Sequence, residues 1–206
     1  MTTSGDVSVR ALRGREAPAA VRVLAAAFLD DPAMVRVQPD ERRRRKLLDR
    51  WFAALALVAV RTGRRPLVGA FAQGRLVGAH TAHEPGTYPP PPWTMPLHAP
   101  AMVPAGPPTT VRSLRWFHAR EQVPPRSQRF LYLELLGTAP GQQGRGVGFA
   151  LVSRLLAEAD ARRLDVVLHT NTPRNVAYYE RLGFAVTNEQ LLPIGVPEWL
   201  MERPPA

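Results

Sequence analysis

Apolar residues in the first half of the chain follow strand-like and helical spacings in turn. Weak alternation over residues 7–12 predicts a strand. Apolar stripes at helical spacing predict a helix over 17–29, which the Asp-Asp-Pro run after it ends, and a second helix that begins at Pro39 and Asp40. Two further apolar runs joined by a Gly-containing link predict a β-hairpin, over residues 67–72 and 76–83.

The second half shows a regular alternation of strand and helix patterns. After a short helix over 111–120, the pattern predicts strands and helices in alternation: strand 130–136, helix 145–162, strand 166–169, helix 174–182 and a strand-like segment from 184 onward. This order indicates an α/β fold in which helices cover a sheet. The chain of 206 residues shows no interdomain linker, so we expect residues 1–206 to form one domain.

Residues 85–108 interrupt this pattern with a proline-rich insertion. Ten of the 22 prolines of the chain lie there, and such a density predicts a loop without regular helix or central strand. Long loops of compact domains are often functional, so the segment is either a rigid, partly ordered loop or a lid that sets specificity. A docking segment for a proline-recognition module is a third possibility.

Composition excludes several chemistries. The chain has no cysteine, which excludes disulfides, thiolate metal sites and a cysteine nucleophile. Its longest apolar run, 51–60, is about half of the ~20 residues that span a bilayer, and the first residues do not have the pattern of a signal peptide. His80 and His83 lie three apart on a predicted strand and would face opposite sides, so we predict no metal site. We expect a soluble cytoplasmic protein without a membrane segment.

The net charge of +10 does not by itself indicate nucleic-acid binding. Lys46 is the only lysine among 27 basic residues, and the arginines are spread along the chain apart from the run at 42–46. That run begins a predicted helix, where a solvated face and a phosphate-binding patch are both open. We therefore do not predict a nucleic-acid partner.

A glycine-rich turn lies between the predicted strand 130–136 and the next helix. Glycines at 137, 141, 144, 146 and 148 allow close approach of a ligand, and free amides at a helix N-terminus favour an anion such as a pyrophosphate. The turn does not fit a P-loop, since Val147 and Gly148 follow Gly146 in place of Lys-Ser/Thr. A dinucleotide fingerprint fails as well, because Phe149 or Leu151 would occupy its third glycine position.

Two motifs resemble the GNAT superfamily of acetyl-CoA-dependent N-acetyltransferases. The run Gln143-Gly144-Arg145-Gly146-Val147-Gly148 matches its Q/R-x-x-G-x-G/A signature, and residues 175–184, with Tyr179-Glu180 and Gly183-Phe184, resemble its second cofactor motif. The resemblance implies a central, mixed, mostly antiparallel twisted sheet flanked by helices. It also implies direct transfer of an acetyl group from acetyl-CoA to a primary amine of a small molecule, with aminonucleosides as one class to consider.

The resemblance further implies a set of cofactor-binding residues. Backbone groups at the strand end would hold the pantetheine arm, the amides of the glycine turn would hold the pyrophosphate with Arg145 adding charge, and Asn175 would either bind the arm or cap its helix. The set is Leu136, Gly137, Thr138, Gln143, Gly144, Arg145, Gly146, Val147, Gly148, Phe149, Asn175 and Tyr179.

For catalysis, the resemblance makes Tyr179 the acid that protonates the leaving thiolate, with Tyr178 as a packing residue. A backbone N–H where the strand bulges, near Leu136 or Gly137, would stabilise the oxyanion. The general base is open between two residues. Glu134 is a lone charge on an apolar strand, where alternation would place Tyr132, Glu134 and Leu136 on one face, and His169 ends the next strand.

Asp31 and Trp199 are the candidates for contacts with the acceptor. Asp31 follows the first helix, where it would attract a cationic amine or simply form a turn, and Trp199 would wall the pocket or fill core. Two other functions remain open: a non-catalytic acyl-CoA-binding regulatory module, and an acetyltransferase for a protein or aminoacyl-tRNA amine. A homodimer is also compatible with the sequence.

Overall fold

The computed structural model describes residues 7–61 and 67–206. Seven strands form one sheet in the order β1-β2-β3-β4-β5-β7-β6, and among these pairs only β4 and β5 run parallel. The strands are β1 (Val7–Ala11), β2 (Val68–Ala72), β3 (Arg75–His83), β4 (Phe130–Thr138), β5 (Asp165–Thr170), β6 (Ala185–Leu191) and β7 (Pro197–Arg203). This mixed, mostly antiparallel sheet confirms the predicted fold class.

Helices cover both faces of the sheet. The α-helices are α1 (Ala17–Ala27), α2 (Pro32–Val37), α3 (Glu41–Arg61), α4 (Ala99–Met102), α5 (Pro107–Glu121), α6 (Val147–Ala161) and α7 (Pro173–Glu180), and 3₁₀ turns span Gly14–Glu16, Pro92–His98 and Val103–Ala105. Apolar residues of α1, α3 and α5 form one core on the first face, and those of α6 and α7 form another on the second face.

Three predictions about local structure need correction. The residues after α1 do more than end it, because the carboxylate of Asp31 accepts the amides of Ala33 and Met34 and so begins α2. The proline-rich segment is wound into short helical turns, since proline is tolerated where a helix starts. The helix α6 begins at Val147, because Gly146 before it has a left-handed backbone with φ of 80°.

The strand β4 separates from β5 halfway along its length. Their pairing runs from Phe130 opposite Asp165 to Leu133 opposite Leu168, whereas β4 itself continues to Thr138. The two strands therefore open a cleft beyond Leu133, and the backbone of the second half of β4 borders it.

A bulge at Glu134 changes which side chains share a face of β4. Its neighbour β3 pairs Ala82 with Leu133 and Thr81 with Leu135, so Glu134 is the extra residue. After it, Leu135 packs on the α1–α3 core, and Leu136 packs on the α6 side. The expectation that Tyr132 and Leu136 share a face is thus wrong, and the bulge lies at Glu134 instead of Leu136 or Gly137.

Two glycines allow helices to pack closely on the sheet. A Cβ at Gly78 of β3 would lie 2.6 Å from Cγ1 of Val147, the first residue of α6. A Cβ at Gly137 of β4 would lie 2.9 Å from Cβ of Ala27 in α1. The absent side chains therefore set the distance of α6 from β3 and of α1 from β4, and β4 borders the cleft.

Candidate active site

A cavity of about 570 Å³ lies where β4 and β5 separate. Its walls come from the proline-rich segment, from α3 and α5, and from the strand ends, and eight of the 15 aromatic residues of the chain line it. These are Phe28, Trp51, Phe52, Tyr88, Trp116, Phe117, Tyr132 and Tyr179. The cavity is therefore largely apolar, with a few polar groups at defined positions.

The glycine-rich turn beside the cleft has the geometry of an anion cradle. Gly141, Gly144 and Gly146 all have positive φ, and a Cβ at any of them would meet no atom within 4 Å. The amides that open α6 have no carbonyl acceptor inside the helix, and they lie at the positive end of its dipole. Gln143, Arg145 and Phe149 are exposed next to them. These residues suit a phosphate-bearing ligand.

Tyr178 gives the cradle an additional polar group. Its hydroxyl is buried, has no hydrogen-bond partner, and lies 3.6 Å from the Cβ position of Gly148, near the hydroxyl of Thr138. Burial raises the pKa of Tyr178. The prediction that Tyr178 serves packing alone does not account for a buried hydroxyl at the start of α6.

Tyr179 lies on α7, where it lines the cavity and packs in the core under α6. Only 7% of the residue is exposed, and burial raises its pKa, so the phenol is protonated at neutral pH and can donate. Asn175 also lines the cavity but does not cap the helix, because the hydroxyl of Thr172 accepts the Asn175 amide. Its side chain is thus available to a ligand.

Glu134 lines the cavity, where a histidine contacts its carboxylate. Its Oε2 lies 2.8 Å from Nε2 of His83, the last residue of β3. His83 pairs with Tyr132 across the two strands and contacts Glu134 on the same face, and its ring lies edge-on against Tyr88 and Tyr132. The carboxylate is thereby fixed in apolar surroundings at the cavity.

His169, the second candidate base, is bound to a tyrosine. Its Nδ1 lies 3.0 Å from the hydroxyl of Tyr132, and its Nε2 is buried with no hydrogen-bond partner. Burial lowers the pKa of His169 well below its usual value, with a further contribution from Arg120, so the ring is neutral. Tyr132 stacks on Tyr88 with ring centroids 3.5 Å apart, and burial raises the pKa of both phenols.

A buried ion pair borders the cavity on the side of α5. Arg120 lines the cavity and pairs with Glu198 of β7, which is fully buried and also accepts from Nε1 of Trp116 and Nε2 of Gln190. Neither residue was predicted to belong to the site. Glu198 lacks the lone-charge signal of Glu134, since its strand also carries Glu202 and Arg203.

The two predicted acceptor contacts have different positions. Asp31 lines the cavity while capping α2, and burial raises the pKa of its carboxyl. Trp199 points to the opposite side of β7 from Glu198, packs on the α6–α7 core and does not line the cavity. We therefore withdraw Trp199 as a wall of the acceptor pocket.

The charge around the cavity differs from that of the whole protein. Among the described residues that line it, Asp31, Glu121 and Glu134 carry carboxylates, and Arg120 is the one with a permanent positive charge. The chain as a whole carries +10. An excess of acid in the cavity of a basic protein favours a cationic ligand.

Outside the cavity, the basic run at 42–46 is mostly a solvated face. Arg44 is the exception, because it is buried and donates to the carbonyls of Leu29, Gln38 and Pro39. Within 7–61 and 67–206, no group of three or more His, Cys, Asp or Glu residues could hold a metal ion. No helix of the same ranges is long and apolar enough for a membrane span.

Comparison with known proteins identifies the family. Residues 25–184, more than half of the chain, match the Acetyltransferase (GNAT) family. The chain belongs to this family. As a GNAT acetyltransferase it is an enzyme with acetyl-CoA as its cofactor. The glycine signature that predicts cofactor binding lies in the turn at 141–149.

Solved structures share the fold over nearly the whole chain. The structure of histone acetyltransferase HPA2 and related acetyltransferase from Corynebacterium glutamicum is 24% identical in sequence to this chain. The match covers 97% of each chain, with a TM-score of 0.67. The PaiA N-acetyltransferase of Thermoplasma acidophilum, in complex with coenzyme A, is 12% identical, with 97% and 99% covered and a TM-score of 0.60. A polyamine N-acetyltransferase of Drosophila melanogaster is 17% identical, with 97% and 100% covered and a TM-score of 0.55.

Proposed function

We propose that this GNAT enzyme transfers the acetyl group of acetyl-CoA to a primary amine of a small molecule. The observation that carries the proposal is the cavity of about 570 Å³ beside Glu134 and Tyr179. Its size falls in the range of about 300–1,000 Å³ that is typical of small-molecule sites. The proline-rich segment forms one wall, from Tyr88 to His98, and so limits the acceptor to what the cavity can hold.

The lining of the cavity favours a cationic amine on an apolar body. Trp51, Trp116 and Phe117 offer aromatic surface, and the proline run at 89–92 adds rigid apolar edges. The carboxylates of Asp31 and Glu134 favour an ammonium group. This combination disfavours polyanionic acceptors such as RNA, whose phosphates would meet an acidic wall.

Aminonucleosides are one class of amine that the proposal includes. Residues 131–203 resemble puromycin N-acetyltransferase, notably in the runs Thr172-Pro173-Arg174-Asn175, 179–186 and 193–201. The resemblance lies in the cofactor half, so it ranks puromycin and simple aminonucleosides first for testing and leaves the acceptor to the assay.

The residues of the site supply two proton movements. Bound acetyl-CoA supplies the acetyl group as a reactive thioester. Glu134 accepts a proton from the incoming ammonium so that the amine can attack. The phenol of Tyr179 donates its proton to the leaving sulfur, which suits a buried tyrosine whose raised pKa keeps it protonated.

We assign the base to Glu134 in preference to His169 for two reasons. The Nδ1 of His169 is already engaged by the hydroxyl of Tyr132. Its lowered pKa also makes the ring a weak proton acceptor. His169 then holds Tyr132 in place on the wall of the cavity.

The test is release of free thiol from acetyl-CoA across a panel of puromycin, simple aminonucleosides, polyamines, aminoglycosides and peptides. We expect turnover with at least one small amine, and the highest kcat/KM with amines on an aromatic or fused-ring body. Turnover confined to peptides would indicate a protein acceptor. No thiol release with any compound of the panel, with acetyl-CoA binding intact by calorimetry, would refute the proposal and favour a regulatory acyl-CoA-binding protein.

Binding to RNA separates the remaining alternative. A tRNA acceptor requires phosphate contacts, and such contacts weaken steeply as salt rises. We expect no salt-sensitive binding of aminoacyl-tRNA, and salt-sensitive binding with acetylation of the aminoacyl group would contradict the proposed small-molecule acceptor.

A further inference from the structure

His83 is the last residue of β3 and lies between the catalytic strand and the proline-rich segment. It is 1% exposed. Its Nε2 lies 2.8 Å from Oε2 of Glu134, and its Nδ1 lies 3.3 Å from the carbonyl oxygen of Thr87. One imidazole ring therefore contacts both the carboxylate assigned as base and the chain that enters the insertion.

The turn that follows His83 is itself anchored. Thr87 donates its amide and its hydroxyl to the carbonyl of Glu84, at 3.0 and 2.8 Å. The carboxylate of Glu84 is held by Arg162 just beyond α6, with a shortest distance of 2.6 Å. The Thr87 carbonyl is thus fixed where Nδ1 of His83 reaches it, which sets the orientation of the ring.

The bulge takes Glu134 out of the regular pairing of β4 with β3. The strand positions on either side of it pair with Ala82 and Thr81, and Glu134 itself has no opposite residue on β3. The side chain of Glu134 is only 20% exposed, and a carboxylate with little access to water is costly to bury unless another polar group lies close to it. The Nε2 of His83, at 2.8 Å, is placed to be such a group.

We propose that His83 is a positioning residue that holds the Glu134 carboxylate toward the acceptor amine and links it to the proline-rich segment through Thr87. This inference rests on the proposed function, in which Glu134 is the base. It assigns His83 no contact with substrate or cofactor. Its effect on turnover passes through the orientation of Glu134.

The test is a double-mutant cycle on kcat with the best amine of the panel. His83→Leu removes both ring nitrogens, whereas His83→Gln keeps an N–H that can reach the carboxylate. Misplacement of a catalytic group by about 1 Å can cost roughly 100-fold, so we expect His83→Leu to lower kcat by about 10- to 100-fold. We expect His83→Gln to retain most of kcat, and KM for acetyl-CoA to be unchanged in both.

The cycle separates positioning from a general structural defect. In a Glu134→Gln background, we expect His83→Leu to change kcat by less than about threefold, because the group it positions is already gone. Glu189→Gln, an exposed carboxylate on β6, controls for the substitution itself. An equal loss from His83→Leu in both backgrounds would overturn the proposal, and so would an unchanged kcat in His83→Leu.

A second readout does not depend on activity. The four proteins of the cycle are the unaltered enzyme, His83→Leu, Glu134→Gln and the double variant. Their free energies of unfolding in urea, measured without ligand, should show a coupling between the two substitutions, and additive effects would overturn the contact as a functional link. Failure of the proposed function is seen separately, as absence of turnover in the unaltered enzyme. A Glu134→Gln variant with full kcat would remove the base and the positioning role together, while the panel result would still stand.

Discussion

Gly78 offers a quantitative test of how the sheet positions the glycine turn that is predicted to bind the cofactor. In Gly78→Ala the new Cβ would lie 2.6 Å from Cγ1 of Val147 and 3.2 Å from the carbonyl oxygen of Gly137. Carbon atoms pack at about 3.5–4.0 Å, so the first contact is short by roughly 1 Å. Val147 is β-branched and stiff, so the start of α6 must move with it.

The cost follows from this displacement. Overpacking of a core costs about 1–3 kcal/mol. Replacing Gly by Ala restricts the unfolded chain and offsets about 0.4–1 kcal/mol of that. We therefore expect a net loss of about 1–2 kcal/mol, which lowers Tm by roughly 2–8 °C in a chain of this size. Because Val147 opens the helix whose N-terminal amides are predicted to bind the cofactor, acetyl-CoA affinity should fall by about tenfold, the equivalent of roughly 1.4 kcal/mol.

Thermal unfolding and calorimetric titration with acetyl-CoA measure the two effects. Gly14→Ala is the matched control, since its Cβ would meet no atom within 4 Å and its Tm should hardly change. Adding Val147→Ala to Gly78→Ala should cost less than Val147→Ala costs alone, because it relieves the contact. A Gly78→Ala protein with unchanged Tm and unchanged affinity would refute the reasoning.

Three further outcomes are expected. Tyr179→Phe should lower kcat by about 10²-fold or more, with acetyl-CoA affinity intact, and unchanged turnover would remove its acid role. Glu198→Gln leaves Arg120, whose side chain is only 15% exposed, without its charge partner and should cost about 3–5 kcal/mol in urea unfolding, so a loss below 1 kcal/mol would contradict this. The pKa of Asp31 is raised in the folded state. The contribution of this carboxyl to stability therefore falls as the pH rises from its pKa in the unfolded chain through its pKa in the folded protein. Asparagine also caps helices, so Asp31→Asn keeps the start of α2. The Tm of this variant minus the Tm of the unaltered protein should increase between pH 4 and pH 7, and a Tm difference that stays constant with pH would contradict the reasoning.

The predictions for the cofactor half of the site could be made from sequence because their signals are local. The glycine turn and Tyr179 lie in runs of a few residues, where spacing and backbone freedom determine geometry. The fold class followed from the strand and helix periods and from the family resemblance, and it is confirmed. The start of α6 was displaced by two residues, since helical apolar spacing continues past a glycine with positive φ.

The acceptor half depends on contacts between distant parts of the chain. Arg120 and Glu198 are 78 residues apart, and their pairing has no local pattern. No glycine or proline lies at Glu134 to indicate a bulge in the sequence. The prediction from alternation therefore assigned Leu136 to the wrong face of β4. His83 was considered only as a metal ligand, because its contact with Glu134 exists only once β3 and β4 are paired.

The acidic lining of the cavity affects the amine acceptor and the acetylated product differently. An amine acceptor arrives as a cation and departs as a neutral amide, so acetylation removes the charge that Asp31 and Glu134 attract. The aromatic walls hold both forms alike. The product therefore loses the electrostatic part of its affinity in the same step that forms it. We expect the inhibition constant of the acetylated amine to be higher than the dissociation constant of the unmodified amine.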